Sequence, residues 1–153
     1  MAGGAGDWLL VFLGGGVGAV SRFGLGRLLE DHGGLRRVSG EHLPVGTLGV
    51  NLAGCLLIGV AAGFVLAGER DGSGGGVWQR RHQELLLITG LLGGFTTFSS
   101  FAIETVRLVE AGRVATALAY VMLSNVLGVL LALGGGLAVA RLVLWGASRG
   151  GAA

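Results

Sequence analysis

Apolar residues along this 153-residue chain gather into four long blocks separated by short polar stretches. The first runs from Trp8 to about Leu29 and is interrupted by Arg22, and the second, Val45 to Ala67, carries no charge. The third begins near Leu85 and reaches about Leu108, with Glu104 and Arg107 near its end. The fourth is uncharged from Val114 to Ala140 and continues to Trp145. A helix needs about 20 apolar residues to cross the hydrocarbon core of a bilayer, and every block meets that length. The pattern predicts an all-α integral membrane protein, residues 1–153 as a single four-helix transmembrane domain. The helices are expected at about 8–30, 44–67, 84–108 and 113–146.

The connections fit that reading. The stretch from His32 to Leu43 holds Arg36, Arg37, Glu41 and His42, after which Pro44 suits the first turn of a helix. Gly68 to Gln83 contains a glycine-rich loop after Asp71, followed by Arg80 and Arg81. Ala111-Gly112-Arg113 is a tight link between the last two helices. The arginines other than Arg22 divide evenly between the two sides of the membrane. Arg70, Arg80, Arg81, Arg141 and Arg149 fall on one side, and Arg27, Arg36, Arg37, Arg107 and Arg113 on the other. The positive-inside rule therefore gives no orientation. Either another feature orients the chain, or copies insert both ways and pair antiparallel.

Composition sharpens the picture. Hydrophobic residues make up 52% of the chain and charged ones 13%, about half the share usual in soluble domains. The 33 glycines are scattered through the apolar blocks, a mark of helices packed closely in lipid. Gly14 and Gly18, Gly59 and Gly63, and Gly90 and Gly94 stand one turn apart, so close helix pairing is expected at each. The basic residues are thinly spread and form no stripe, which speaks against a nucleic-acid partner. Cys55, alone in an apolar run, is expected to be a small buried hydrophobe. The N-terminus lacks a basic region and leads into an apolar block too long for a cleavable leader. His32, His42 and His82 fall in predicted loops, and no base is placed beside a hydroxyl within a span, so enzymatic catalysis is not expected.

Polar groups inside the spans are costly and point to function. Arg22 lies past the middle of helix one, either as an anchor reaching the interface or as an electropositive vestibule for anions. Thr47 and Asn51 share a face of helix two, and an Asn in lipid needs partners for its amide. Tyr120 and Ser124 repeat the spacing in helix four, with Gly128 one turn on; Asn125 points away and suits packing. Helix three carries Gly93-Gly94-Phe95-Thr96-Thr97-Phe98-Ser99-Ser100-Phe101. Adjacent glycines followed by hydroxyl residues weaken a helix, so this helix is expected to break at mid-membrane. A break frees carbonyl oxygens, which suit a hard cation, and the ring edges of Phe98 and Phe101 suit a small anion.

These segments resemble the bacterial fluoride channels of the Fluc/CrcB type over nearly the whole chain. The likeness rests on Gly15-Gly16-Val17-Gly18-Ala19-Val20-Ser21-Arg22-Phe23, on Gly46-Thr47 through Asn51 to Gly54, on Gly93 to Phe101, and on Tyr120 with Ser124. The resemblance implies a passive fluoride-selective channel exporting cytoplasmic fluoride, in the bacterial plasma membrane, as an antiparallel dual-topology homodimer with two pores. It implies a structural sodium ion held by the carbonyls of Gly93 and Thr96 from both subunits. Phe98 and Phe101 would line each pore, Asn51 would donate to fluoride, Thr47, Tyr120 and Ser124 would complete a polar track, and Arg22 would lie at the aqueous entrance. Relatives often carry a second hydroxyl where this chain has Gly128. The alternatives are an exporter of the small multidrug-resistance type, which needs a carboxylate that helix one lacks before Glu30, and a non-transporting membrane subunit.

Overall fold

The computed structural model describes residues 4–32, 43–71 and 77–150. Arg36, Arg37, Glu41 and His42, and the glycine-rich loop at 72–76, lie outside the described residues. The described chain is entirely helical between its turns. α1 spans Ala5–His32 and α2 spans Val45–Asp71. The third crossing is in two parts. α3, residues 77–95, opens with an α-helical segment Val77–Gln83, widens into a π-helical stretch Glu84–Leu92, and ends in the turn Gly93–Phe95. α4 spans Phe98–Glu110 and α5 spans Val114–Gly150. The apolar stretches in all four crossings are long enough to span a bilayer.

Two boundaries differ from the hydropathy reading. The backbone stays helical past Ala67 to Asp71 and is helical again from Val77, so Arg80, Arg81 and His82 sit on a helix and not in a loop. Hydropathy marks where a helix leaves hydrocarbon, whereas helical hydrogen bonding carries on into the interface. One tie there is polar: Arg81 bonds Asp7 at 2.6 Å, joining the start of α1 to that of α3. At the opposite end α4 turns into α5 through Gly112, whose φ of 74° favours glycine.

Little is buried in the way of a soluble core. Among the described residues, Val50, Leu92, Phe95, Leu108, Ala117, Tyr120 and Val139 are the buried hydrophobics, while Trp8, Phe12 and many leucines face outward. Such an inside-out distribution suits lipid, where close backbone packing replaces the hydrophobic effect as the force between helices. The glycine spacings do this as expected. Gly14 of α1 lies on Gly90 of α3, and a Cβ on Gly90 would stand 3.0 Å from the Gly14 Cα. One turn on, a Cβ on Gly94 would stand 2.5 Å from the Gly15 carbonyl. Gly59 and Gly63 of α2 pack on Ala132, Gly136 and Val139 of α5. The wide π turn of α3 lies along α1, its Gly93 N–H reaching back to the Ile88 carbonyl.

Candidate functional site

The break in the third crossing is written into Gly93-Gly94-Phe95-Thr96-Thr97. Thr96 leaves helical geometry at φ −84°, ψ 153°, and Thr97 follows in extended form at φ −143°, ψ 110°. Thr97 then caps α4, its Oγ1 accepting from the Ser100 N–H at 3.2 Å. Asn51 reaches across from α2 to hold the interruption. Its Nδ2 donates to the Thr97 carbonyl at 3.1 Å, and its Oδ1 accepts the Thr97 N–H at 2.8 Å. The carboxamide thus brackets one residue and supplies the Thr97 N–H with the acceptor that the missing turn takes away, as backbone inside a membrane requires. One hydrogen of the Asn51 amide is thereby committed, and the second remains for another acceptor.

Two carbonyls are changed by this diversion. In an unbroken helix the Thr97 N–H would donate to the Gly93 carbonyl and the Ser100 N–H to that of Thr96. Here the first donates to Asn51 and the second to Thr97 Oγ1. Gly93 and Thr96 thus lose their regular helical donors, and Gly93 is exposed on the chain surface. The neighbouring Gly94 carbonyl accepts from Arg22 Nε at 3.3 Å, so Arg22 bonds inward to the break and is not merely an anchor at the helix end. Carbonyl oxygens released in this manner are the ligand type of hard cations.

A groove of about 340 Å³ runs beside the break, lined among others by Asn51, Thr96, Thr97, Phe98, Phe101 and Ser124, with Gly93 and Asn125 at its edges. The Phe98 and Phe101 rings are 5.5 Å apart between centroids and tilted by 47°. Phe98 is 79% exposed, an apolar ring standing clear of its own chain in a largely apolar groove that carries a few polar groups. Ser124 Oγ is buried with no hydrogen-bond partner among the described residues. Asn125 turns back onto the Val121 carbonyl at 2.8 Å, in keeping with a packing role. Gly128 is buried, and a Cβ there would meet the Cys55 sulfur at 3.1 Å, so the Cys55 thiol fills the space.

A second cavity of about 240 Å³ lies on the other side of Thr97 and is lined by Arg22, Arg27, Glu30, Thr47, Thr97 and Ser100 among others. The predicted site residues therefore divide between two spaces that meet at the break. Tyr120 opens on neither: it is fully buried, its ring 5.2 Å from that of Phe101. Its hydroxyl donates to Glu104 Oε2 at 2.7 Å, while Thr47 Oγ1 donates to Glu104 Oε1 at 2.7 Å. Glu104 thus joins α2, α4 and α5 through one carboxylate. Sequence reasoning placed it near a helix end and gave it no role. The available signal was its position three residues after Phe101, on the same face of α4.

Comparison with known proteins accords with this architecture. The family model for CrcB-like protein, Camphor Resistance (CrcB), matches residues 9–136. A protein of Paracoccus denitrificans named fluoride-specific ion channel FluC is 44% identical over 134 residues, covering 88% of this chain and 94% of the relative. One of the same name from Coxiella burnetii is 43% identical over 116 residues, 76% of this chain and 83% of the relative. Another, from Thermus thermophilus, is 42% identical over 125 residues, 82% and 88% of the two chains. With four apolar crossings, a break at Thr96 and Thr97, and likeness over most of its length, this chain belongs to the CrcB family.

Proposed function

We propose that this chain is a passive fluoride-selective channel of the cell membrane, working as an antiparallel dual-topology homodimer that lets cytoplasmic fluoride leave down its electrochemical gradient. The observation that carries the reading is the groove beside the break. It is lined by Asn51, which has an amide hydrogen to spare, by Ser124, whose hydroxyl has no partner among the described residues, and by the Phe98–Phe101 ring pair. Fluoride holds its water tightly, so a selective path must offer replacement donors without a deep trap. Two neutral donors and two ring edges supply that kind of lining. The names borne by the relatives from Paracoccus denitrificans and Thermus thermophilus support the same substrate.

Each residue then has a part. Arg22, tied to the Gly94 carbonyl, provides positive potential at the aqueous end. Thr47 and Tyr120 fix Glu104 and so hold α2, α4 and α5 in register around the path. Asn51 both holds the break open and donates to the ion. A second subunit would cover the groove and the exposed Phe98 ring, a pairing supported by the even division of arginines between the two sides. The Gly93 and Thr96 carbonyls of both subunits would hold a sodium ion at the centre, adding fixed positive charge and fastening the two breaks together. The diverted donors of those two carbonyls fit such a ligand set.

The test is efflux from liposomes carrying the purified protein, loaded with potassium fluoride or potassium chloride and triggered with valinomycin. Rapid fluoride release with negligible chloride release is expected. Equal release of both ions, or none from inserted and folded protein, would overturn the proposal. Cross-linking within the same vesicles reads the dimer, and exchange of sodium for a large organic cation reads the sodium site.

A further inference from the structure

We propose that Glu30 is an electrostatic brake on anion capture, a carboxylate placed in the Arg22 cavity where it offsets the charge that draws the anion in. The inference rests on the channel reading above and concerns the rate at which ions reach the path. Among the described residues, two guanidinium groups and one carboxylate line the cavity of about 240 Å³ that meets the break at Thr97. Arg22 is directed inward, Nε donating to the Gly94 carbonyl at 3.3 Å. Arg27 is held at the wall, its Cζ 5.7 Å from the Phe23 ring centroid. Glu30 follows Arg27 by three residues and so shares its face of α1. The Glu30 carboxylate lies over the first turn of α2, where a Cβ on Gly46 would stand 2.8 Å from Oε1. With no side chain at Gly46, the carboxylate lies over α2 at the edge of the cavity while staying exposed to solvent.

A negative charge there works against the purpose of the two arginines. Clefts lined by one sign of charge raise the local concentration of the opposite ion and its rate of capture. A carboxylate in the same cleft lowers both, and among the described residues the polar groups lining it from α2, the break and α4 are the neutral Thr47, Thr97 and Ser100. Glu30 is solvent-exposed, so its effect is of the modest, screened kind.

The experiment is fluoride efflux from liposomes bearing the full-length wild type, Glu30→Gln, Glu30→Asp or Arg27→Gln. Efflux is read at ionic strengths of about 0.01 M and about 1 M set with an impermeant salt, where the screening length is about 30 Å and about 3 Å respectively. Glu30→Gln should raise efflux about two- to fivefold at low ionic strength, from the usual size of exposed charge interactions, and lose that gain at high. Glu30→Asp should stay at the wild-type rate, and Arg27→Gln should fall below it at low ionic strength. A Glu30→Gln rate equal to wild type, or a gain that survives high salt, overturns the inference, as does a Glu30→Asp gain matching that of Glu30→Gln. A wild type that releases no fluoride overturns the channel reading and this inference together. A conducting wild type with an unchanged Glu30→Gln overturns this inference alone.

Discussion

Replacing Asn51 by Asp keeps the side-chain shape and reverses half of its chemistry. The acceptor that receives the Thr97 N–H at 2.8 Å survives, while the donor to the Thr97 carbonyl at 3.1 Å becomes a second oxygen facing an oxygen. Losing that bond costs about 0.5–1.5 kcal/mol of stability, which four packed helices should tolerate. The effect on transport is larger. An anion passing about 4 Å from the new carboxylate meets a repulsion of about 4 kcal/mol at an effective dielectric constant near 20. At about 1.4 kcal/mol per factor of ten, flux falls about 10³-fold, to the background of empty vesicles. Valinomycin-triggered fluoride efflux at neutral pH reads the flux, and gel filtration with cross-linking reads assembly. The expected result is an assembled but silent protein. Asn51→Asp with wild-type efflux would refute the assignment of Asn51 to the path, and loss of assembly would mean that its hold on Thr97 dominates.

Four further substitutions probe other parts of the argument. Phe98→Ile should abolish fluoride efflux while leaving the fold intact, because the ring is 79% exposed and packs on its own chain mainly through Phe101; circular dichroism and efflux together decide it. Gly135→Val should lower the melting temperature in detergent by the equivalent of about 1–3 kcal/mol, since a Cβ there would meet the Leu56 carbonyl at 2.7 Å. Tyr120→Phe leaves Glu104 Oε2 without its donor and should cost about 1–3 kcal/mol. Combined with Thr47→Val, which frees the other carboxylate oxygen, the loss should be non-additive in a double-mutant cycle of thermal stability.

The sequence by itself determined the class of molecule. Blocks of apolar residues near the length of a bilayer leave a helix as the only way to satisfy the backbone, so four crossings followed from hydropathy. The glycine pairs were legible for the same reason, since spacing by one turn puts two gaps on one face, and Gly14 does lie on Gly90. The break at Thr96 was legible too, because Gly93 and Gly94 followed by Thr and Ser oppose a continuous helix through local chemistry alone.

Partnerships between distant residues were decided only by the tertiary structure. Asn51 needed a partner, but that the partners are the N–H and the C=O of Thr97 depends on where α2 lies against α3 and α4. Glu104 read as a charge near a helix end until α2 and α5 brought Thr47 and Tyr120 to its two oxygens. Tyr120 and Ser124 share a helical face in sequence, yet packing buries the first against Phe101 and leaves the second on the groove. Glu30 gained its place in the Arg22 cavity from a glycine on another helix. Periodicity reports which groups share a face of one helix, whereas the neighbour across that face is set by the crossing of helices far apart in the chain.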